Sequence, residues 1–159
     1  MPMQRKSPRL KGFDYTTRAA YFVTICTYQR LPLFGEIIDG VMRLAPSGEI
    51  AAACWQAISN HYPGVILDEF VIMPNHMHGL LGLTAVTSDF RTALGWVINS
   101  YKGAVTTRIR QQSSPDMKVW QSRYYDHIVR DEADLDRIRE YVQNNPLAWS
   151  ADRFHPGGP

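Results

Sequence analysis

The stretch VILDEFVIMPNHMHGLLGL, residues 65–83, decides how this chain folds. Residues 65–73 and 76–83 are apolar and rich in β-branched side chains, and Pro74-Asn75 breaks them apart, so the stretch reads as two strands. Side chains alternate along a strand, which puts His76 and His78 on one face and Met77 on the other. Upstream, residues 21–27 (YFVTICT) read as a further strand and residues 41–44 (VMRL) as a short one. Pro46 and Ser47 introduce residues 49–60, where Ile50, Ala53, Cys54, Ala57 and Ile58 recur at helical spacing. Downstream, residues 89–111 form a long amphipathic helix with Leu94, Val97, Ile98, Tyr101, Val105 and Ile109 near one stripe. Residues 119–129 contain strand-like material. Residues 131–144 form a second strong helix with Leu135, Ile138 and Val142 facing inward. Asp131, Glu132 and Asp134 crowd its first turn, as the helix dipole favours. Pro146 ends it, because the residue before a proline avoids the helical region. This order of elements predicts an α+β fold, a ferredoxin-like antiparallel sheet with packed helices.

The composition agrees with one domain. The chain has 159 residues, 45% hydrophobic and 20% charged, enough to bury a core and too apolar for a disordered chain. Residues 1–149 are expected to form that domain with a basic N-terminal arm, and the Gly/Pro-rich residues 150–159 a loose tail. No apolar run approaches the roughly 20 residues needed to span a bilayer. The basic start has no apolar run behind it, so it is not a secretory signal. Cys26 and Cys54 form no CxxC and lie in apolar segments, which predicts reduced, buried thiols in a cytoplasmic protein.

Net charge is only +2, but it is unevenly spread. Residues 1–30 hold six Lys/Arg against Asp14, and residues 91–130 hold seven against two acids. Residues 31–90 are net acidic, with Arg43 against six carboxylates. Two basic blocks suit either a phosphate-rich partner or an ordinary solvated surface.

Two segments carry side chains with chemical potential. His76 and His78 are either a pair of partly exposed strand histidines or two imidazoles placed to chelate one divalent ion. In YVQNNP, residues 141–146, Tyr141 and Asn145 are four apart and share a helix face. Taken alone, Tyr141 reads as a boundary packing residue and Asn145 as a helix terminator able to adopt the left-handed conformation. Taken with the histidines, they change the balance. A metal held by two imidazoles and one oxygen ligand, with a tyrosine hydroxyl a helical turn away, is the equipment for cutting a phosphodiester. A protonated tyrosine is a poor nucleophile, so metal proximity or a base must assist it. Asp126 and His127 suit a structural role, or a role in orienting DNA or shuttling a proton.

The HMH of residues 76–78, between apolar strands, resembles the HUH motif of single-tyrosine transposases. Residues 131–149, DEADLDRIREYVQNNPLAW, resemble the nucleophile helix of their REP-associated tyrosine transposase branch. The resemblance covers residues 12–149 in the same order of elements, and it implies the HUH-endonuclease type of the ferredoxin-like fold. It also implies metal-dependent cleavage and rejoining of single-stranded DNA near hairpins, through a 5′-phosphotyrosine and a free 3′-hydroxyl. Carried over, His76 and His78 match the metal pair, Tyr141 the nucleophile, and Asn145 the third ligand, where relatives outside this branch place Gln. Mg²⁺ or Mn²⁺ suits the oxygen ligand and phosphate chemistry.

For DNA contact, Arg5, Lys6, Arg9 and Lys11 form a basic arm, and Lys102, Arg108, Arg110 and Arg123 are candidates to line a groove. Trp120, Tyr124 and Tyr125 are candidates for base stacking. A monomer with its tyrosine helix in cis is preferred over a homodimer. The alternatives are a non-catalytic DNA-binding regulator on the same fold, and a related replication initiator or relaxase.

Overall fold

A computed structural model describes residues 19–84 and 90–151. The chain runs β1 (Ala19–Cys26), β2 (Gly35–Ile38), β3 (Val41–Leu44), α1 (Pro46–Gln56), α2 (Ile58–His61), β4 (Val65–Met73), β5 (His76–Leu83), α3 (Phe90–Gln112), β6 (Tyr125–Ile128) and α4 (Glu132–Asn144). Four strands form an antiparallel sheet in the order β4-β5-β1-β6, and β2 and β3 form a separate hairpin. The third of the four sheet strands is inserted between the first two, which is the ferredoxin-like order. No helix among the described residues is long and apolar enough to cross a membrane.

Both faces of the sheet are covered. Trp55 of α1 and Leu94, Ile98, Tyr101 and Val105 of α3 pack on Val23, Ile25, Met77 and Leu81. On the other face Leu135, Ile138 and Val142 of α4 close on Ala20, Phe22, Leu80 and Val71. β5 lies in the sheet interior, so its alternation is invisible as polarity and all eight of its residues are buried. Such a strand reads as a continuous apolar run.

β4 carries a bulge between Leu67 and Phe70 against β5. The extra residue turns both Asp68 and Glu69 towards α4, where they meet Arg139 and Gln143. Gly79 has a different task. A Cβ there would overlap the indole of Trp55, which is 0% exposed. Gly79→Ala is expected to destabilise the fold by about 1–3 kcal/mol through overpacking. Thermal unfolding should then shift down by roughly 3–10 °C; an unchanged midpoint would mean that Trp55 repacks freely.

Four sequence expectations change in the structure. The strand β2 was not expected; Asp39 and Gly40 both take positive φ (52° and 76°) and close a tight Asp-Gly hairpin, a turn signal present in the sequence. The helix expected at 49–60 starts at Pro46, whose fixed φ suits a first helical position, and divides at Ala57. Of residues 119–129 only Tyr125–Ile128 is strand, preceded by an isolated bridge between Thr27 and Trp120. Asp131 caps α4 instead of lying in its first turn, accepting the Asp134 N–H at 2.8 Å.

Candidate active site

The histidines sit where β5 begins, paired across the sheet with β1. His76 faces Cys26 and His78 faces Thr24 in register, so both imidazoles project on the α4 face while Met77 enters the opposite core. Neither is the partly exposed strand histidine that the sequence allowed: they are 0% and 2% exposed. Their ring centres are 4.7 Å apart at 71°.

Each Nδ1 is engaged by a neighbour. The Asn75 amide oxygen lies 2.8 Å from Nδ1 of His76, and the Thr24 hydroxyl lies 2.7 Å from Nδ1 of His78. An amide oxygen only accepts, so Nδ1 of His76 is the donor in that bond, and a neutral ring then carries its lone pair on Nε2. The two buried Nε2 atoms make no hydrogen bond within the described residues, and neither does Oδ1 of Asn145. Two buried imidazole nitrogens and a buried amide oxygen are the kind of donor set that fits a divalent cation. Among the described residues no cluster of three His, Cys, Asp or Glu side chains offers a metal site.

Helix α4 brings the remaining groups. The Tyr141 ring lies 5.4 Å from that of His78 and meets Phe22 edge-on at 6.1 Å. Phe22 itself stacks on His78 at 5.1 Å. Tyr141 is nonetheless 47% exposed, so it reaches solvent beside a buried imidazole. Beyond the helix, Trp149 stacks on His76 at 6.1 Å. Asn145 lies between these two contacts along the chain and is 2% exposed. It is not a left-handed terminator: its φ of −58° and ψ of −45° are right-handed helical, despite the following Pro146. Bonds from Ala148 N–H to Asn144 O and from Trp149 N–H to Pro146 O keep the chain coiling past the proline.

The helix is fixed to the sheet by charges. Arg139 makes a two-pronged contact with Asp68, Nε to Oδ1 at 3.0 Å and Nη2 to Oδ2 at 2.6 Å, and the Asp68 side chain is fully buried. The hydrogen bonds to Asp68 raise the Arg139 pKa above its ordinary value. At the other end Asp134 accepts from His127, the Arg130 N–H and Arg137. Burial pushes its carboxyl pKa up, but the bonds from His127 and Arg130 outweigh that and hold it below the usual carboxylate value. His127 thereby fastens β6 to α4, which is a structural role.

The expected DNA contacts divide. Arg5, Lys6, Arg9 and Lys11 lie outside the described residues. Lys102 is half-buried and donates to the Gln121 carbonyl, and burial lowers its pKa. Arg110 lies on the same side of α3, whereas Arg108 points to Cys54 in a different pocket. Arg123 is exposed and lines neither. Trp120 is half-buried, with its indole N–H bonded to the Lys102 carbonyl, and Tyr124 packs on the core. Of the proposed stacking residues, Tyr125 is the exposed one. Both cysteines are buried, and neither is in a disulfide. Sequence reasoning missed Thr24, Phe22, Asn75 and Trp149; only Asn75, next to His76, carried a local signal.

A family model described as IS200-like transposase matches residues 19–145. An uncharacterized protein of Haemophilus influenzae is 37% identical over 168 residues, spanning 95% of this chain and 93% of that protein. A candidate REP-associated tyrosine transposase of the same organism is 24% identical over 156 residues, spanning 89% of this chain and 83% of its own length. In fold, the chain is similar to the solved structure of a REP-associated tyrosine transposase bound to a REP hairpin. The TM-score is 0.60 at 18% identity, covering 81% of this chain and 67% of the other. Because the matching model extends from β1 to Asn145 and so takes in the sheet, the histidine pair and α4, the chain belongs to the IS200-like transposase family.

Proposed function

We propose that this transposase-family protein cuts and rejoins single-stranded DNA beside hairpins through a covalent bond to Tyr141. The observation that carries the reading is the meeting of the Tyr141 ring with His78 at 5.4 Å, where two strand-borne imidazoles already lie side by side. His76, His78 and Asn145 would hold a divalent ion, Mg²⁺ or Mn²⁺. Such an ion supplies positive charge at the oxygens of the scissile phosphate.

The Tyr141 hydroxyl oxygen attacks phosphorus, forming a Tyr–O–P bond as the P–O3′ bond breaks. The tyrosine proton passes to the departing 3′ oxygen, directly or through solvent. The products are a 5′-phosphotyrosine on the protein and a free 3′-hydroxyl. Attack on that ester by another 3′-hydroxyl restores a phosphodiester and returns the proton to Tyr141. Thr24 and Asn75 orient the imidazoles through Nδ1, and Phe22 limits where the Tyr141 ring can lie. The protein would act as a monomer, with Tyr141 serving the histidine pair of its own chain.

The test pairs metal binding with cleavage. His78→Ala is expected to weaken Mn²⁺ binding by at least tenfold in calorimetric titration, since one of three ligands is gone. It should also reduce cleavage of a labelled hairpin substrate on the order of 10³-fold, while hairpin affinity measured with chelator present stays within twofold. Cleavage that persists in EDTA would overturn the metal-assisted mechanism. Hairpin binding without cleavage in any metal would favour the non-catalytic regulator.

A further inference from the structure

On the face of the sheet opposite α4, an open trough of about 880 Å³ runs between α3 and the segment before β6. Of its twelve lining residues three are basic, Lys102, Arg110 and Lys118, and none is acidic. Lys102 helps build the wall, its Nζ donating to the Gln121 carbonyl at 2.8 Å. The other two cations are exposed. Among the described residues Arg110 bonds the Met117 carbonyl through Nε only, which leaves its terminal amino groups for a ligand. The Lys118 ammonium lies 5.3 Å from the centre of the Tyr28 ring, so a flat aromatic face and a cation share one wall. That pairing of aromatic faces with cations is how proteins hold unpaired nucleic-acid strands without reading their sequence.

The position of the trough matters as much as its charge. Gln121, one of its lining residues, donates its backbone N–H to Cys26, and Cys26 faces His76 in the β1–β5 register. Thr27, next to the lining residue Tyr28, bonds the Asn75 carbonyl. The trough therefore opens at the same end of the sheet as the histidine pair, separated from it by the thickness of the sheet.

We propose that this trough binds the phosphodiester backbone of the single-stranded DNA flanking the hairpin, with Arg110 and Lys118 as phosphate contacts and the Tyr28 ring holding the Lys118 ammonium in place. This rests on the DNA-cleaving reading above and adds a second contact region, remote from the reacting atoms. A strand long enough to turn the sheet edge engages both regions; a bare hairpin does not reach the trough.

The experiment compares the unaltered chain with Arg110→Ala/Lys118→Ala, using one fluorescent hairpin with and one without a ten-nucleotide single-stranded flank. Both side chains are exposed, and matching circular dichroism melts establish that the variant folds. The flanked DNA should bind the variant about tenfold more weakly, and the bare hairpin should bind both chains within twofold. Each phosphate contact on a single strand contributes about 0.7 to the slope of log affinity against log salt, so the slope should fall by about 1.4. Between roughly 50 and 200 mM salt the unaltered chain then loses about sevenfold more affinity than the variant. Covalent adduct formation at saturating DNA should be unchanged, since neither residue touches the site. Equal affinity and slope for the flanked DNA would overturn the trough alone. Equal weakening of the bare hairpin would place the duplex stem in the trough and overturn the single-strand assignment. No binding of either DNA by the unaltered chain would overturn the DNA reading and the trough with it.

Discussion

Tyr141→Phe is expected to abolish the covalent protein–DNA adduct while leaving the fold and hairpin affinity intact. The substitution removes one oxygen from a side chain that is 47% exposed, and the ring keeps its contacts with His78 and Phe22. Stability should therefore change by less than about 0.5 kcal/mol. Helix α4 carries no other hydroxyl side chain, so cleavage should drop on the order of 10⁴-fold or more, as when any covalent nucleophile is deleted. The measurement uses hairpin DNA labelled at its 5′ and 3′ ends, incubated with Mn²⁺ and resolved under denaturing conditions. Under the proposed chemistry the label downstream of the cut travels with the protein and the upstream label is released. Tyr124→Phe and Tyr125→Phe should retain the adduct. Tyr124 packs on the core and Tyr125 lies on β6, two strands from β5, so neither shares Tyr141's contact with His78. An adduct that survives in Tyr141→Phe and disappears in Tyr125→Phe would transfer the role to β6.

The second large effect lies two residues away. Arg139→Met should destabilise the protein by about 3–5 kcal/mol, because it leaves the carboxylate of Asp68, whose side chain is 0% exposed, without its guanidinium. For a chain of this size that corresponds to a melting point lower by roughly 6–20 °C. Asp68→Leu combined with Arg139→Met should recover most of the loss, since replacing a whole buried pair with apolar groups is often neutral. Urea unfolding of the single and double variants measures this coupling directly. If the double variant is as unstable as Arg139→Met alone, the buried charge is not what the arginine compensates. The double variant is also expected to cleave DNA more slowly than its restored stability implies. The ion pair sets how α4 sits on β4, and Tyr141 lies two residues beyond Arg139 on the same helix. A loss in kcat with little change in KM would mark that positioning role.

Much of the fold was legible because the local signals were strong. Residues 65–73 and 76–83 matched β4 and β5 without adjustment, since β-branched runs bounded by Pro-Asn leave little else to form. The stripe of Leu135, Ile138 and Val142 located the buried face of α4. The Asp39-Gly40 turn was equally explicit but lies between short strands that are half exposed, where no alternation draws attention to it. Asn145 misled for a different reason. The preference of a pre-proline residue for extended backbone is worth little against a buried side chain and two further turn hydrogen bonds.

By itself the sequence determined which side chains are available: the His-x-His alternation, the four-residue spacing of Tyr141 and Asn145, and the order of strands and helices. Those are properties of one helix or one strand, and their periods of 3.6 and 2 residues can be read along the chain. Only the tertiary structure decided that His78 meets Tyr141, 63 positions away, that Thr24 and Asn75 hold the imidazoles, and that Asp68 anchors the nucleophile helix. It also parted the expected basic residues, setting Lys102 and Arg110 in one trough and Arg108 in another pocket. Strand register, a one-residue bulge in β4 and the face on which a helix docks are set by packing between segments distant in sequence. A shift of one residue in register would move every side chain of a strand to the other face, and nothing within a single strand records which register is taken.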